Sequence, residues 1–541
     1  MSKKDSFVKG TIILAAAALV ARVLGIFQRV PLEHLFNDVG DAAFSQANNV
    51  YLMLLTLATA GIPSTLSKMV SERYALNRPD EARQIYRAAL IFGAVVGVII
   101  SVLLYITAPL FAKHAGVPES TLAIRAIAPA LLLFPSIAMM RGYSQGRNNM
   151  MANGMSQIVE QIARVLTAIL LAFVLFHQGY SNSVMAAGAS FGSVFGSIGA
   201  FAIMLYAAIR LHREDKASGL YAAQGERLPL LRIYKDIFSL SIPIILSSMT
   251  IQAVYFIDSS LIVPLLSGQV GNAEATRLLG ILGQKAQSIA GIPPVLAIAL
   301  STSLIPVISA AYARRDEEHL KRQITLAMRI AILTGTPIVL SLVVAAFSVN
   351  GLLFSTPSGS GMIALLTLGT IFQITMTTSN SILLGMGKSR ISMFYVLAGI
   401  VVKLGASVLL SRFMGIYGII IATALCFIVI TALNLRLLRT IVPFQIMGKR
   451  WGGYLIAVLV SAAVGYGLNE AGIHLAGLLP DRVAYLIACL LTGASVVALY
   501  LVVLIIFGVL SAAELSSYPR PVRKLLNPLM KLQPARMREK E

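Results

Sequence analysis

The sequence predicts an all-α polytopic membrane protein of about fourteen transmembrane helices, in two six-helix pseudo-symmetric lobes plus two C-terminal helices. Three observations carry this. The 541-residue chain is 57% hydrophobic and only 12% charged, against about a quarter charged in soluble domains. Apolar runs of about 20 residues, enough for a helix to cross the hydrocarbon core, recur along almost its whole length. Finally, RGYSQGRNNM (Arg141–Met150) and LGMGKSRISM (Leu384–Met393) are both short, basic and glycine-bearing, and each lies between two such runs. SERYA at Ser71–Ala75 and SAAYA at Ser309–Ala313 keep nearly the same offset. A repeat that long fits the doubled halves of a carrier, not a solenoid.

The first run, near Thr11, follows the basic MSKKDSFVKG. It continues through charged residues without a cleavage site, so it reads as a retained span and not a signal peptide. Runs two to six begin near Ala43, Ala88, Thr121, Met155 and Val184. The second is broken by Gly61-Ile62-Pro63, and the sixth carries Gly188, Gly192 and Gly196 at the four-residue spacing that lets a neighbouring helix approach. A hydrated linker, Leu211–Lys235, leads to runs near Ile237, Leu278, Ile324, Met362, Ile391 and Ile416. Pro31, Pro63, Pro243, Pro293, Pro294 and Pro306 concentrate in runs one, two, seven and eight, matching positions of the halves. Proline is tolerated there if those helices bend around an enclosed cavity. Runs near Gly452 and Val483 have no counterpart. The expected organisation is an N-terminal lobe (1–225), a C-terminal lobe (226–440), an appended pair (441–510) and a basic cytoplasmic tail (511–541).

The net charge of +21 suggests nucleic acid, but its distribution excludes that reading. The N-terminus, the even-numbered loops and the tail hold about three-quarters of the lysines and arginines, the positive-inside pattern. Both termini are therefore expected in the cytoplasm, with the tail near anionic membrane lipids. The only cysteines, Cys426 and Cys489, fall inside apolar runs, so no disulfide framework or cysteine metal site is indicated. The six histidines have no ligand spacing, and Gly387-Lys388-Ser389 lacks the earlier glycine and strand of a phosphate loop. No enzyme activity, cofactor or metal is expected.

Ionisable groups inside the membrane cost about 2.5–3.5 kcal/mol even on the lenient insertion scale. The first run carries Arg22, Arg29 and Glu33, the fifth Glu160 and Arg164, the seventh Asp258, the eighth Lys285 and the eleventh Lys403. Glu160 and Arg164 are four apart and read as a structural ion pair, as do Arg29 and Glu33. That leaves Arg22, Lys285 and Lys403 against Asp258, a basic interior suited to an anion. Asp258 can partner Lys403 or Lys285, or hold a coupling cation.

ARVLGIFQRVPL, GIPSTLSKMVSERYA, RGYSQGRNNM with SQIVEQIARV, and GIPPVLAIALSTSLIPVISAAYA resemble the polysaccharide-biosynthesis branch of the multidrug/oligosaccharidyl-lipid/polysaccharide (MOP) exporters. Within it they are similar to the YtgP/SpoVB-like and MurJ-type lipid II flippase groups. The resemblance covers almost the whole chain and implies a MATE-like fold with two lobes around a cavity, alternating access and export of a lipid-linked sugar diphosphate. It implies that Arg22 faces the cavity, that Arg29 stands near a second cavity arginine and that Lys285 falls close to a third. The cavity arginine of run two has no match in Leu54–Thr59. Some members bind sodium between runs seven, eleven and twelve, so sodium or proton coupling stays open, with Lys403 a candidate replacement for the ion.

The expected function is a flippase carrying an undecaprenyl-diphosphate-linked cell-wall precursor, above all lipid II, across the cell membrane for peptidoglycan synthesis and cell shape. Expected partners are that lipid-linked oligosaccharide, membrane lipids and the cell-wall synthesis machinery. The alternatives are another lipid-linked unit (teichoic acid, capsule), or a MATE-like drug/cation antiporter, whose cavity would be acidic. A membrane-embedded glycosyltransferase would need a metal or carboxylate site in a large loop.

Overall fold

The computed structural model describes residues 7–59, 61–76, 78–147, 149–217, 229–474 and 479–510. The N-terminal hexapeptide, the middle of the 211–235 linker and the 511–541 tail lie outside the described residues, as does the side chain of Arg22. Among the described residues there is no strand.

The chain begins with α1 (Phe7–Leu35), α2 (Asp38–Thr59), α3 (Ile62–Ala75), α4 (Pro79–His114), α5 (Ser120–Ile127), α6 (Ala130–Gly146), α7 (Met150–His177) and α8 (Asn182–Ala217). It continues with α9 (Leu230–Ser248), α10 (Thr250–Val270), α11 (Asn272–Gly280), a π-helical turn (Ile281–Ala286), α12 (Gln287–Ala290), α13 (Pro294–Ala313) and α14 (Glu317–Val344). The last helices are α15 (Ala346–Leu353), α16 (Ser360–Gly385), α17 (Ser389–Met414), α18 (Ile416–Ile441), α19 (Trp451–His474) and α20 (Asp481–Ile506). Twelve helices among the described residues are long and apolar enough to cross a membrane. The first run (α1) and the broken eighth run (α11 to α13) complete the about fourteen passages that the sequence predicts.

Helices α1, α2, α4, α7, α9, α11 and α14 start four or more residues before their apolar runs, because hydropathy registers only the part in lipid. Asn37 Oδ1 accepts the backbone N–H groups of Val39 and Gly40 at 3.1 and 3.0 Å, capping α2 at Asp38. Asp316 does the same for α14 by accepting the His319 N–H at 2.9 Å. Helix α4 opens on Pro79 with Asp80 and Glu81 and closes on Lys113 and His114, complementing its dipole at both ends.

The Gly-Ile-Pro breaks behave as the sequence suggests. Gly61 lies at φ 75°, in the left-handed region, and Pro63 sits in the first turn of α3, where no N–H is needed. Interior prolines are less confined than the sequence reading held. Pro109 in α4, Pro135 in α6, Pro264 in α10 and Pro337 in α14 also sit within helices, whereas Pro294 opens α13.

By contact the chain divides into Met1–Ser288 with Gly387–Ile430, and Ile289–Met386 with Thr431–Glu541. In the first unit α3 packs on α4 and α6; in the second α13 packs on α14 and α16. The glycines of the repeated motif explain the likeness. A Cβ on Gly142 would stand 2.8 Å from Pro63, and one on Gly385 would stand 2.9 Å from the Ile305 carbonyl. Each motif glycine lets its helix close on the partner backbone.

Helix α4 shows the inversion expected of a lipid-facing element. Its buried stripe is small, with Ala88, Ala89, Gly93, Gly97 and Ala108, while Ile91, Ile99, Leu103 and Ile106 stand exposed. In water such a face would be a large apolar liability; in hydrocarbon it costs nothing, and small residues supply the close packing.

Candidate functional site

In the first unit, α1, α2, α6, α7 and α12 surround a cavity of about 400 Å³. A second hollow of about 250 Å³ adjoins it, sharing Leu55, Arg141, Gln157 and Glu160. Two glycine ridges set the polar walls. Gly192 and Gly196 of α8 lie against the α7 backbone, where added Cβ atoms would fall 2.7 Å from the Arg164 carbonyl and 2.9 Å from that of Glu160. Helix α7 is thereby seated on α8, and its Gln157, Glu160, Gln161 and Arg164 side chains line the cavity. Gly142 and Gly146 seat α6 on α3, and Arg141 lines the cavity beside them. Helix α1 contributes Gln28 and Arg29, α2 Asn48, and α12 Gln287 and Ser288.

The lining holds three guanidinium groups, Arg29, Arg141 and Arg164, and one carboxylate, Glu160. Arg141 Nη2 donates to Glu160 Oε2 and to Ser156 Oγ, both at 2.9 Å. Arg164 Nη2 donates to Gln161 Oε1 at 2.5 Å. The Nε atoms of Arg141 and Arg164 are buried with no hydrogen-bond partner. A buried donor left without an acceptor costs about 1–3 kcal/mol, so neither guanidinium is fully satisfied within the protein. Arg29 Nη1 donates to the Gly283 carbonyl inside the π-helical turn, where the widened ladder alters which carbonyls are committed within the helix.

The sequence-selected residues fall into three places. Arg29 and Arg164 line the cavity, as does Glu160, but Glu160 pairs with Arg141 and not with Arg164. Four-residue spacing permits a pair on one helix; here the Arg141 guanidinium from α6 reaches the carboxylate instead. Lys285 is buried in an ion pair with Glu33 at 2.8 Å, a contact from the π-helical turn to α1. Lys285 is not among the cavity-lining residues. Asp258 of α10 and Lys403 of α17 meet at 2.5 Å, with the lysine side chain fully buried. Lys403 Nζ also donates to the Ile419 carbonyl at 2.8 Å, and Thr423 Oγ1 donates to Asp258 Oδ2 at 3.3 Å. Arg22 lies in α1, with its side chain outside the described residues.

Arg141 is the cavity residue that sequence reasoning missed. It stands in the motif RGYSQG, past the end of the apolar run, where hydropathy indicates a loop. The helix runs on to Gly146. Its neighbour Arg147 makes a bidentate pair with Asp215 of α8 at 2.5 and 2.7 Å and lies over the Tyr74 ring. The motif therefore supplies a cavity cation, two packing glycines and a tie from α6 to α8.

This arrangement defines a polytopic membrane protein with a cationic, amide-rich internal cavity. The chain belongs to the polysaccharide biosynthesis protein family, whose pattern matches residues 7–312. It is 28% identical over 453 residues to the uncharacterized membrane protein YabM of Bacillus subtilis (strain 168), covering 84% of this chain and 82% of the relative. It is 26% identical over 484 residues to the lipid II flippase MurJ of the same organism, covering 86% of each. Its fold is that of the MOP superfamily. An inward-facing multidrug resistance MATE family transporter of that superfamily matches with TM-score 0.64 at 15% identity, over 80% of this chain and 97% of the other. The lipid II flippase MurJ in an inward closed conformation matches with TM-score 0.63 at 14% identity, over 92% and 98%.

Proposed function

We propose that the protein is an alternating-access flippase. It moves an undecaprenyl-diphosphate-linked cell-wall precursor, with lipid II the leading substrate, from the inner to the outer leaflet for peptidoglycan synthesis. The observation that carries this reading is the cavity with Arg29, Arg141 and Arg164 set against the single carboxylate Glu160. Guanidinium forks match phosphate oxygens, and the amides of Gln28, Asn48, Gln157 and Gln287 suit a sugar's hydroxyls. The lipid tail stays in hydrocarbon while the head group passes inside. Outward movement of a diphosphate is favoured by an inside-negative potential at about 2.3 kcal/mol per charge per 100 mV, so neither catalysis nor an ATPase domain is required. The family resemblance of the ARVLG segment adds Arg22 to this proposed set.

The surplus of positive charge disfavours a drug/cation antiporter, whose ligand the guanidiniums would repel. Depletion of the protein should reduce lipid II exposed at the cell surface, measured by its accessibility to an external lipid II-degrading enzyme. Unchanged lipid II with a fall in another lipid-linked polymer would transfer the assignment to that polymer.

In this reading the chain sits in the cell membrane with both termini in the cytoplasm, working as lobes 1–225 and 226–440 with residues 441–510 appended. In a variant lacking Cys426 and Cys489, a cysteine at Lys388 should resist impermeant thiol reagents applied outside, whereas cysteines at Asn182 and Ser358 should label. External labelling at Lys388 would reverse the orientation.

A further inference from the structure

The second unit has a basic site of its own, unrelated to the cavity above. Two adjoining hollows of about 520 and 580 Å³ meet at Arg439, in the last turn of α18. Arg436, one turn earlier on the same face, lines the first, and Lys321, near the start of α14, lines the second. Among the described residues none of these three cations has an acidic partner within salt-bridge distance or a side-chain hydrogen bond. Glu317 and Glu318, in the first turn of α14, are not among the lining residues. The remaining wall is apolar or uncharged, with Leu435, Pro443, Phe444 and Gln445.

We infer that these hollows bind the phosphate head group of an anionic membrane lipid, held by Lys321, Arg436 and Arg439, with its acyl chains against Leu435, Pro443 and Phe444. Three cations on one concave, partly apolar wall whose lining holds no carboxylate match an anionic amphiphile in both head group and chain. The α18 carbonyl terminus at this point carries about half a negative charge, which three full cations outweigh. The site also lies at the helix ends that join the Lys- and Arg-rich loops, where the charge count places the cytoplasmic leaflet and its anionic lipids. Soluble phosphate shares the head-group chemistry but has no use for the apolar wall.

The test titrates the full-length detergent-purified protein with phosphatidylglycerol, phosphatidylcholine or inorganic phosphate and counts retained ligands by native mass spectrometry. Phosphatidylglycerol should be retained at least tenfold more tightly than phosphatidylcholine and should resist competition by inorganic phosphate. Each cation removed should weaken retention about fivefold, so Lys321→Gln/Arg436→Gln/Arg439→Gln should lose it almost entirely. These positions are exposed, so the triple variant keeps its fold, checked by an unchanged Tm. Arg412→Gln, at an exposed cation in the last turn of α17 outside both sites, should retain phosphatidylglycerol normally. Equal retention of phosphatidylcholine, or phosphatidylglycerol retention undiminished in the triple variant, would overturn the site. Displacement by inorganic phosphate would overturn its assignment to lipid.

Discussion

Arg141→Gln is expected to lower translocation of a lipid-linked diphosphate about 30- to 150-fold, the equivalent of about 2–3 kcal/mol lost from a charge-assisted contact. Arg141 is held by Glu160 and Ser156, while its Nε is buried without a hydrogen-bond partner. A diphosphate offers that nitrogen an acceptor and competes with Glu160 for the fork. The single variant has a second effect, since it leaves the Glu160 carboxylate buried without its cation, which is destabilising. Arg141→Gln/Glu160→Gln separates the two. Its stability, read as Tm, should return close to that of the parent, while translocation stays low. Recovery of translocation in the double variant would mean that Arg141 serves the fold and not the ligand.

The second large effect is expected at Asp258. Asp258→Asn strands the Lys403 ammonium in a site with no solvent access, and breaking a buried pair from one side costs about 3–5 kcal/mol. Tm should drop by several degrees and translocation should fall with it. Adding Lys403→Met removes the stranded charge and should recover most of the stability. The Ile419 carbonyl then keeps the Thr423 hydroxyl as a donor at 3.3 Å. We hypothesise that the pair opens during the cycle, with the Lys403 ammonium serving in place of a coupling cation, so the double variant should recover part of the transport and need no sodium. Sodium-dependent transport by the parent, with the double variant no better than the single, would assign an ion site to Asp258.

Much of the fold is written in the hydropathy, because lipid imposes one long apolar helix per crossing and leaves few alternatives. Both halves of the repeat were legible for the same reason that they pack. Gly142 and Gly385 recur because each admits a facing backbone closer than any Cβ allows. Charge partners were legible only where the sequence left them open between helices, as with Asp258 and Lys403. For Glu160, four residues before Arg164, local spacing was misleading, since its cation, Arg141, comes from another helix. A pair along one helix is weakly favoured, about 0.2–0.5 kcal/mol, and any cross-helix contact of better geometry displaces it. Arg141 escaped notice because a helix outlasts its apolar run, and the polar turns at its ends carry much of this cavity's chemistry.

The central claim is that a cationic cavity selects a lipid-linked diphosphate, and translocation in vesicles tests it most directly. The purified protein would be reconstituted with a fluorescent lipid II analogue, and movement between leaflets read by quenching from one side. Protein-dependent movement of the diphosphate lipid, lost in Arg141→Gln/Glu160→Gln, with no transport of a lipophilic organic cation, is the predicted result. Transport of the cation, with the diphosphate lipid static in the same vesicles, would contradict it.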